Sequence, residues 1–271
     1  MAHAHQAIQY PRPGEIALMH YHPKSALPAS CRRGILLAAT ALALPLAAPV
    51  QAENTPPSLG VGTTAAAIAA RIGALLDRQW DHLQWVARSV QEFWPPQNVE
   101  ELRFILETAH HSAPHIVWIG VATVRDGRVL AAVNGIIEGV DVQQRPWFSI
   151  GIERNGAVDV HDAALLQQAL RRDPNQGMLR LIDFVSPIRD ASGAVVAMIG
   201  SHILWDWVVE VVRREEAHAR ARVALISSSG EILLAPPSVS SDNALQLSSV
   251  PIEQRPDTPS FGWRLAMLNG T

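Results

Sequence analysis

Arg145-Pro146-Trp147-Phe148 is the segment whose residue types most directly suggest chemistry. A guanidinium is a rigid planar fork of donors that grips a carboxylate through two parallel, charge-assisted hydrogen bonds. The indole and phenyl rings that follow can wall off the apolar part of the same ligand. Two more polar residues come later in the chain. Asp162 reads as the cap of a following helix or as a pocket residue. His202, beside Gly200-Ser201 on an apolar segment, reads as a hydrogen-bonded core residue or as a ligand contact. His110, His111 and His115 fix no metal geometry, because Pro114 breaks the helical face between them and no carboxylate is near. There is no G-x-S-x-G elbow, no paired-carboxylate motif and no H-E-x-x-H, so no enzyme, metal or cofactor chemistry is expected.

These residues need elements to hold them. Residues 53–62 form a Pro/Gly linker. From Thr63 on, Ile68, Ile72, Leu75, Gln79, Leu83, Val86, Val90 and Phe93 recur every three or four residues. That spacing predicts a helix of about 30 residues, roughly 45 Å long, capped by Thr63 or Thr64 and stopped by Pro95-Pro96. Part of its stripe can form a homodimer seam. A second helix is expected from Asn98 to His110, then strands at 116–122 and 129–133 joined by an Asp126-Gly127 hairpin. Pro146 opens a short helix carrying Trp147 and Phe148. A strand at 157–160 precedes a helix from His161 or Asp162 to about Leu170. Strands at 178–188 and 194–203 pair through a second hairpin, and a helix runs from Trp205 to about Ala219, with Asp206 as a capping residue. Strands at 222–227, 231–235 and 263–268 suggest a second, smaller sheet. The fold class expected is α+β, a long N-terminal helix followed by antiparallel hairpin sheets with helices on their faces. Tight hairpins and the lack of a G-x-G-x-x-G turn exclude a Rossmann or barrel reading.

With 48% apolar and 17% charged residues the chain can bury a sizeable core. Its net charge of -3, with no basic patch, excludes nucleic acid as an expected partner. Residues 1–52 read as a signal peptide or N-terminal anchor: Lys24, Arg32 and Arg33 precede an apolar run from Gly34 to Val50, with cleavage expected after Ala52. Export to the periplasm follows. The single cysteine, Cys31, lies in that leader, so the exported part needs no disulfide.

In order and spacing, several pieces resemble the double Cache sensor domains of bacterial signalling proteins. They are the long helix, Trp118-Ile119-Gly120-Val121-Ala122, Asp126-Gly127-Arg128, Arg145-Pro146-Trp147-Phe148, Val160-His161-Asp162-Ala163, Val185-Ser186-Pro187-Ile188-Arg189-Asp190 and Gly200-Ser201-His202-Ile203-Leu204-Trp205-Asp206-Trp207. The resemblance covers about residues 63–235 and implies two PAS-like modules. The long helix and a membrane-distal module would span 63–215, and a partial membrane-proximal module 220–271. It also implies a ligand site made of Arg145, Trp147, Phe148, Asp162 and His202. In amino-acid-binding members an Arg-x-Trp-Tyr motif holds the ligand carboxylate, a Tyr-x-Asp element lines the pocket, and an Asp takes the amine. Here Phe148 replaces the first tyrosine, Val160 the second, and His202 stands at the amine-binding Asp. Loss of that carboxylate favours a small organic acid over an amino acid.

The implied function is extracytoplasmic sensing of a small carboxylate-bearing molecule. Its partners would be a second copy through the long helix and a membrane-bound signalling protein, with an effector absent from this chain or supplied in trans. A freely soluble periplasmic binding protein is the alternative.

Overall fold

The computed structural model describes residues 61–236 and 248–268; the expected leader and residues 53–60 of the expected linker lie outside them, while Val61 and Gly62 of that linker already belong to a helix. Helix α1 runs Val61–Glu92, with Ile68, Ile72, Leu76, Trp80, Leu83, Val86 and Val90 on its buried face. Its stripe follows the predicted spacing from Ile68 to Val90, with Leu76 rather than Leu75 pointing fully inward, whereas Phe93 lies past the helix end and is exposed. Each such side chain contributes about 1.5–3 kcal/mol by leaving water. Thr63 and Thr64 lie inside this helix rather than capping it, and Pro95 and Pro96 follow its end. Helix α2, Val99–His111, is capped by Asn98, whose Oδ1 accepts from the Glu101 N–H at 2.9 Å.

A five-stranded antiparallel sheet follows, in the order β2-β1-β5-β4-β3. Its strands are β1 (Ile116–Thr123), β2 (Val129–Ala132), β3 (Gly156–Asp162), β4 (Arg180–Arg189) and β5 (Val195–Leu204). Between them lie two short helices, α3 (Pro146–Gly151) and α4 (Ala164–Ala169). The helix expected from His161 or Asp162 is corrected here. Both residues belong to β3, where they pair with Leu181 and Arg180, and the helix begins only at Ala164. A bulge in β3 between Val158 and His161 hides the strand's alternation and makes this stretch read as a helix start.

Helix α5, Trp205–Ala219, leads to a four-stranded antiparallel sheet, β7-β6-β9-β8. Its strands are β6 (Arg222–Ile226), β7 (Ile232–Leu234), β8 (Ser249–Pro251) and β9 (Arg264–Leu268). Asp206 sits in the first turn of α5 but does not cap it, since Leu204 holds the N-cap position without a side-chain bond. Strand β8 has no sequence counterpart among the expected elements, being three residues long with a proline at its end.

Both sheets share one apolar core, because α1 packs against each. At Gly73 the helix comes so close to the loop after β8 that a Cβ would collide with the Glu253 carbonyl oxygen. Nearby, Asp77 accepts from the Arg255 N–H at 3.1 Å, and Asp81 pairs with the Arg255 guanidinium. An aromatic series joins the two sheets: Trp80 to Phe184 (5.7 Å between ring centroids), Phe184 to Phe261 (5.1 Å), Phe261 stacked on Trp263 (4.6 Å), and Trp263 to Trp205 (5.9 Å). The Trp263 indole N–H donates to Asp159 Oδ1 at 2.8 Å, tying the smaller sheet to the bulged strand β3.

One part-buried polar contact between α1 and the residue preceding β1 carries a pH consequence. His115 Nε2 lies 2.6 Å from Gln79 Oε1, and its ring stacks on Trp207 at 4.4 Å. Burial, assisted by repulsion from His82, pushes the His115 pKa down to about 4, and burial lowers those of His82 and His110 as well. As pH falls from about 6.5 to about 4, the unfolded chain takes up a proton at residue 115 that the folded chain refuses, so stability is lost across that window. The melting temperature is therefore expected to fall between pH 7 and pH 5. In His115→Gln the fall should be smaller; an equal fall in both proteins would remove His115 as its source.

Candidate ligand-binding site

The antiparallel register aligns side chains in rows across one face of the five-stranded sheet. Trp118, His202 and Asp183 are successive Cα partners across β1, β5 and β4. Two residues along, Ala132, Gly120, Gly200, Val185 and Gly156 form a row of small side chains. Because the strand period is two, both rows face the same way. The opposite face carries Ile119, Ser201 and Phe184, and Phe184 meets Trp80 of α1.

The small row is the floor of the site. Trp118 folds over Gly120 so closely that no Cβ would fit there, and a Cβ on Gly200 would lie 3.2 Å from the Trp147 ring. Helix α3 delivers Trp147 and Phe148, which are 4% and 6% exposed. Its own Gly151 sits against Val185 and Met198 of the sheet. The Trp118 and Trp147 rings meet at 5.8 Å, and Trp118 is anchored by its N–H donating to the Ile136 carbonyl at 3.0 Å.

His202 lies at the centre of this cluster. Its imidazole stacks on Trp118 (4.7 Å, 21°) and meets the edge of Trp147 (5.7 Å, 75°). Asp183 Oδ1 lies 2.5 Å from His202 Nδ1, and a carboxylate can only accept, so Nδ1 carries a proton. The other oxygen, Oδ2, lies 3.4 Å from His161 Nε2. His161 Nδ1 is 2.9 Å from the Asp159 carbonyl oxygen, again an acceptor, so the Nε2 contact is attractive only when that ring carries both protons. A carboxylate 1% exposed thus lies between two imidazoles, each contributed by a different neighbouring strand. The β3 bulge turns His161 toward this point.

The expected site residues divide into groups. Trp147, Phe148 and His202 come together, with Trp118, Asp183 and His161 as members the sequence reading missed. Asp183 did have a signal: a carboxylate within Leu181-Ile182-Asp183-Phe184-Val185 is costly in a buried strand unless it is paired. Arg145 is exposed. Its main chain occupies the N-cap position of α3, and its exposed guanidinium makes neither a capping bond nor an ion pair with any of the described residues. Asp162 is separate. It is exposed, 4.0 Å from the Arg180 guanidinium, and its Cα partner Arg180 is three residues along β4 from Asp183, about 10 Å in an extended strand. Among the described residues no group of histidine, cysteine and carboxylate side chains is placed to hold a metal ion.

No family model matches the chain, and no curated protein does. Solved structures do match. The ligand-binding domain of the amino-acid chemoreceptor PctC from Pseudomonas aeruginosa, in complex with GABA, aligns over 76% of this chain and 97% of its own, at 15% identity and a TM-score of 0.58. The chain has the double-Cache fold. The ligand-binding domain of the Pseudomonas fluorescens chemoreceptor CtaA, in complex with L-valine, aligns over 76% of this chain and 93% of its own, at 15% identity and a TM-score of 0.57. That of Campylobacter jejuni Tlp3, in complex with L-norvaline, aligns over 76% and 88%, at 11% identity and a TM-score of 0.58. In this double-Cache chain the long helix, the five-stranded sheet and the smaller sheet are the α+β arrangement expected from the sequence.

Proposed function

We propose that this chain is an extracytoplasmic sensory domain whose larger sheet binds a small carboxylate-bearing molecule, with Arg145 as the carboxylate clamp and Trp147 and Phe148 as its apolar wall. The observation that carries this reading is a guanidinium left without a partner among the described residues, two positions before a buried indole, on a fold whose solved neighbours are chemoreceptor ligand-binding domains. Asp162 stands too far along the sheet edge to share a small ligand with His202, so it acts at the rim with Arg180. Residues 63–215 form the distal sensing module and 220–271 the proximal one. Residues 1–52 direct export to the periplasm, with retention as an anchor or release by cleavage. Helix α1 contacts both sheets and leaves Trp85 half exposed on its outer side, which suits a homodimer that passes the ligand signal to a membrane-bound partner.

The test is calorimetric titration of the purified chain with short organic acids, after a thermal-shift screen that exploits stabilisation by bound ligand. Arg145→Ala is expected to weaken the best ligand about 100-fold, since two charge-assisted hydrogen bonds contribute roughly 3 kcal/mol together. Arg145→Lys should recover only part, because an ammonium lacks the planar fork. Unchanged affinity in Arg145→Ala would overturn the clamp.

A further inference from the structure

The surroundings of His202 are those that hold a small organic cation. Two indoles bound the space, Trp118 stacked and Trp147 edge-on, and the Asp183 carboxylate closes it at hydrogen-bonding distance. A ring face beside a desolvated carboxylate attracts ammonium-like groups strongly, because the quadrupole of the stacked Trp118 and the negative charge act in the same direction, while Trp147 excludes water. In this chain the occupant is covalent. The imidazole presents its flat face to Trp118 and its Nδ1–H to Asp183, as a bound cation would present its own face and N–H.

We propose that His202 is a built-in occupant of a cation subsite formed by Trp118, Trp147 and Asp183, and that it thereby closes the pocket to ligands carrying an ammonium group. This deepens the carboxylate reading and rests on it only for the identity of the ligand, not for the occupancy. An ammonium arriving next to Trp147 would find the buried Asp183 carboxylate already engaged by His202. It would lose its hydration without gaining an anionic partner, which disfavours binding. A carboxylate held by Arg145 and carrying an alkyl or hydroxyl body meets no such penalty. The chain therefore selects acids that lack an amine, in contrast with solved neighbours crystallised with GABA, L-valine or L-norvaline.

The proposal is tested on the whole chain in two ways. In His202→Gly the subsite is vacated, and imidazole or methylammonium chloride at millimolar concentration is expected to raise its melting temperature. The same salts should leave the unsubstituted chain and His202→Gly/Asp183→Asn unchanged. A rise that persists without Asp183, or no rise at all in His202→Gly, overturns the occupancy. The second arm needs no variant and decides the matter if His202→Gly does not fold. Propionate and L-alanine differ only by the ammonium group, and propionate is expected to bind the unsubstituted chain at least 10-fold more tightly. Tighter binding of L-alanine overturns the proposal. Should neither acid bind while imidazole rescues His202→Gly, the built-in occupant stands and the carboxylate-sensing reading alone falls.

Discussion

Trp263→Ala is expected to destabilise the chain by about 3–5 kcal/mol, the usual cost of emptying a large buried aromatic site. Trp263 is 1% exposed, stacks on Phe261 and meets the edge of Trp205. Its N–H also holds Asp159, so the substitution removes ring packing and a hydrogen bond between the two sheets together. For a domain of this size the melting temperature should fall by roughly 6–20 °C. Trp263→Phe separates the two contributions: it keeps most of the ring and loses the N–H, which alone is worth about 1–2 kcal/mol. A melting temperature for Trp263→Ala within 2 °C of the parent would show that the two sheets do not depend on this contact. Binding at Arg145 should weaken in parallel only where the smaller sheet supports β3 through Asp159.

Gly73→Leu is expected to be comparably severe, for the opposite reason. Here nothing is removed; a side chain is forced where the Glu253 carbonyl oxygen already lies. Main chain cannot swing aside as a lysine tip could, so α1 and the loop after β8 must separate, and overpacking of this kind costs about 1–3 kcal/mol or more. Separation would also pull Arg255 away from Asp77 and Asp81. Gly73→Ala is the informative milder variant. Alanine favours the helix by about 1 kcal/mol over glycine, so if the close approach were unimportant the variant would melt higher. We expect it to melt lower, because even a single methyl group collides with the carbonyl oxygen. A raised melting temperature in both variants would mean that α1 and the smaller sheet are not held at this spacing.

Much of the fold was legible because its signals are local. The α1 stripe, the Asp126-Gly127 hairpin and the placement of Pro146 at the start of α3 each follow from residues close in sequence. The strand expected at 157–160 stops short of His161 and Asp162, which read as a helix start because a bulge breaks the alternation of β3. Strand β8 was missed because three residues ending in proline carry almost no strand pattern. In the site, Arg145, Trp147 and Phe148 stood out as a tetrapeptide with carboxylate chemistry. Trp118, Asp183 and His161 could not be joined to His202 from the chain, since each lies on a different strand and their meeting depends on register.

Composition and spacing were enough to establish an α+β chain with a long amphipathic helix and hairpin sheets, because propensity, periodicity and turn chemistry act over a few residues. Tertiary register settled what surrounds His202. A strand period of two places Trp118, His202 and Asp183 in one row, and the paired Gly120 and Gly200 leave room for two indoles above them. The residue that read from sequence as a substituted ligand contact is therefore a side chain already paired, stacked and enclosed.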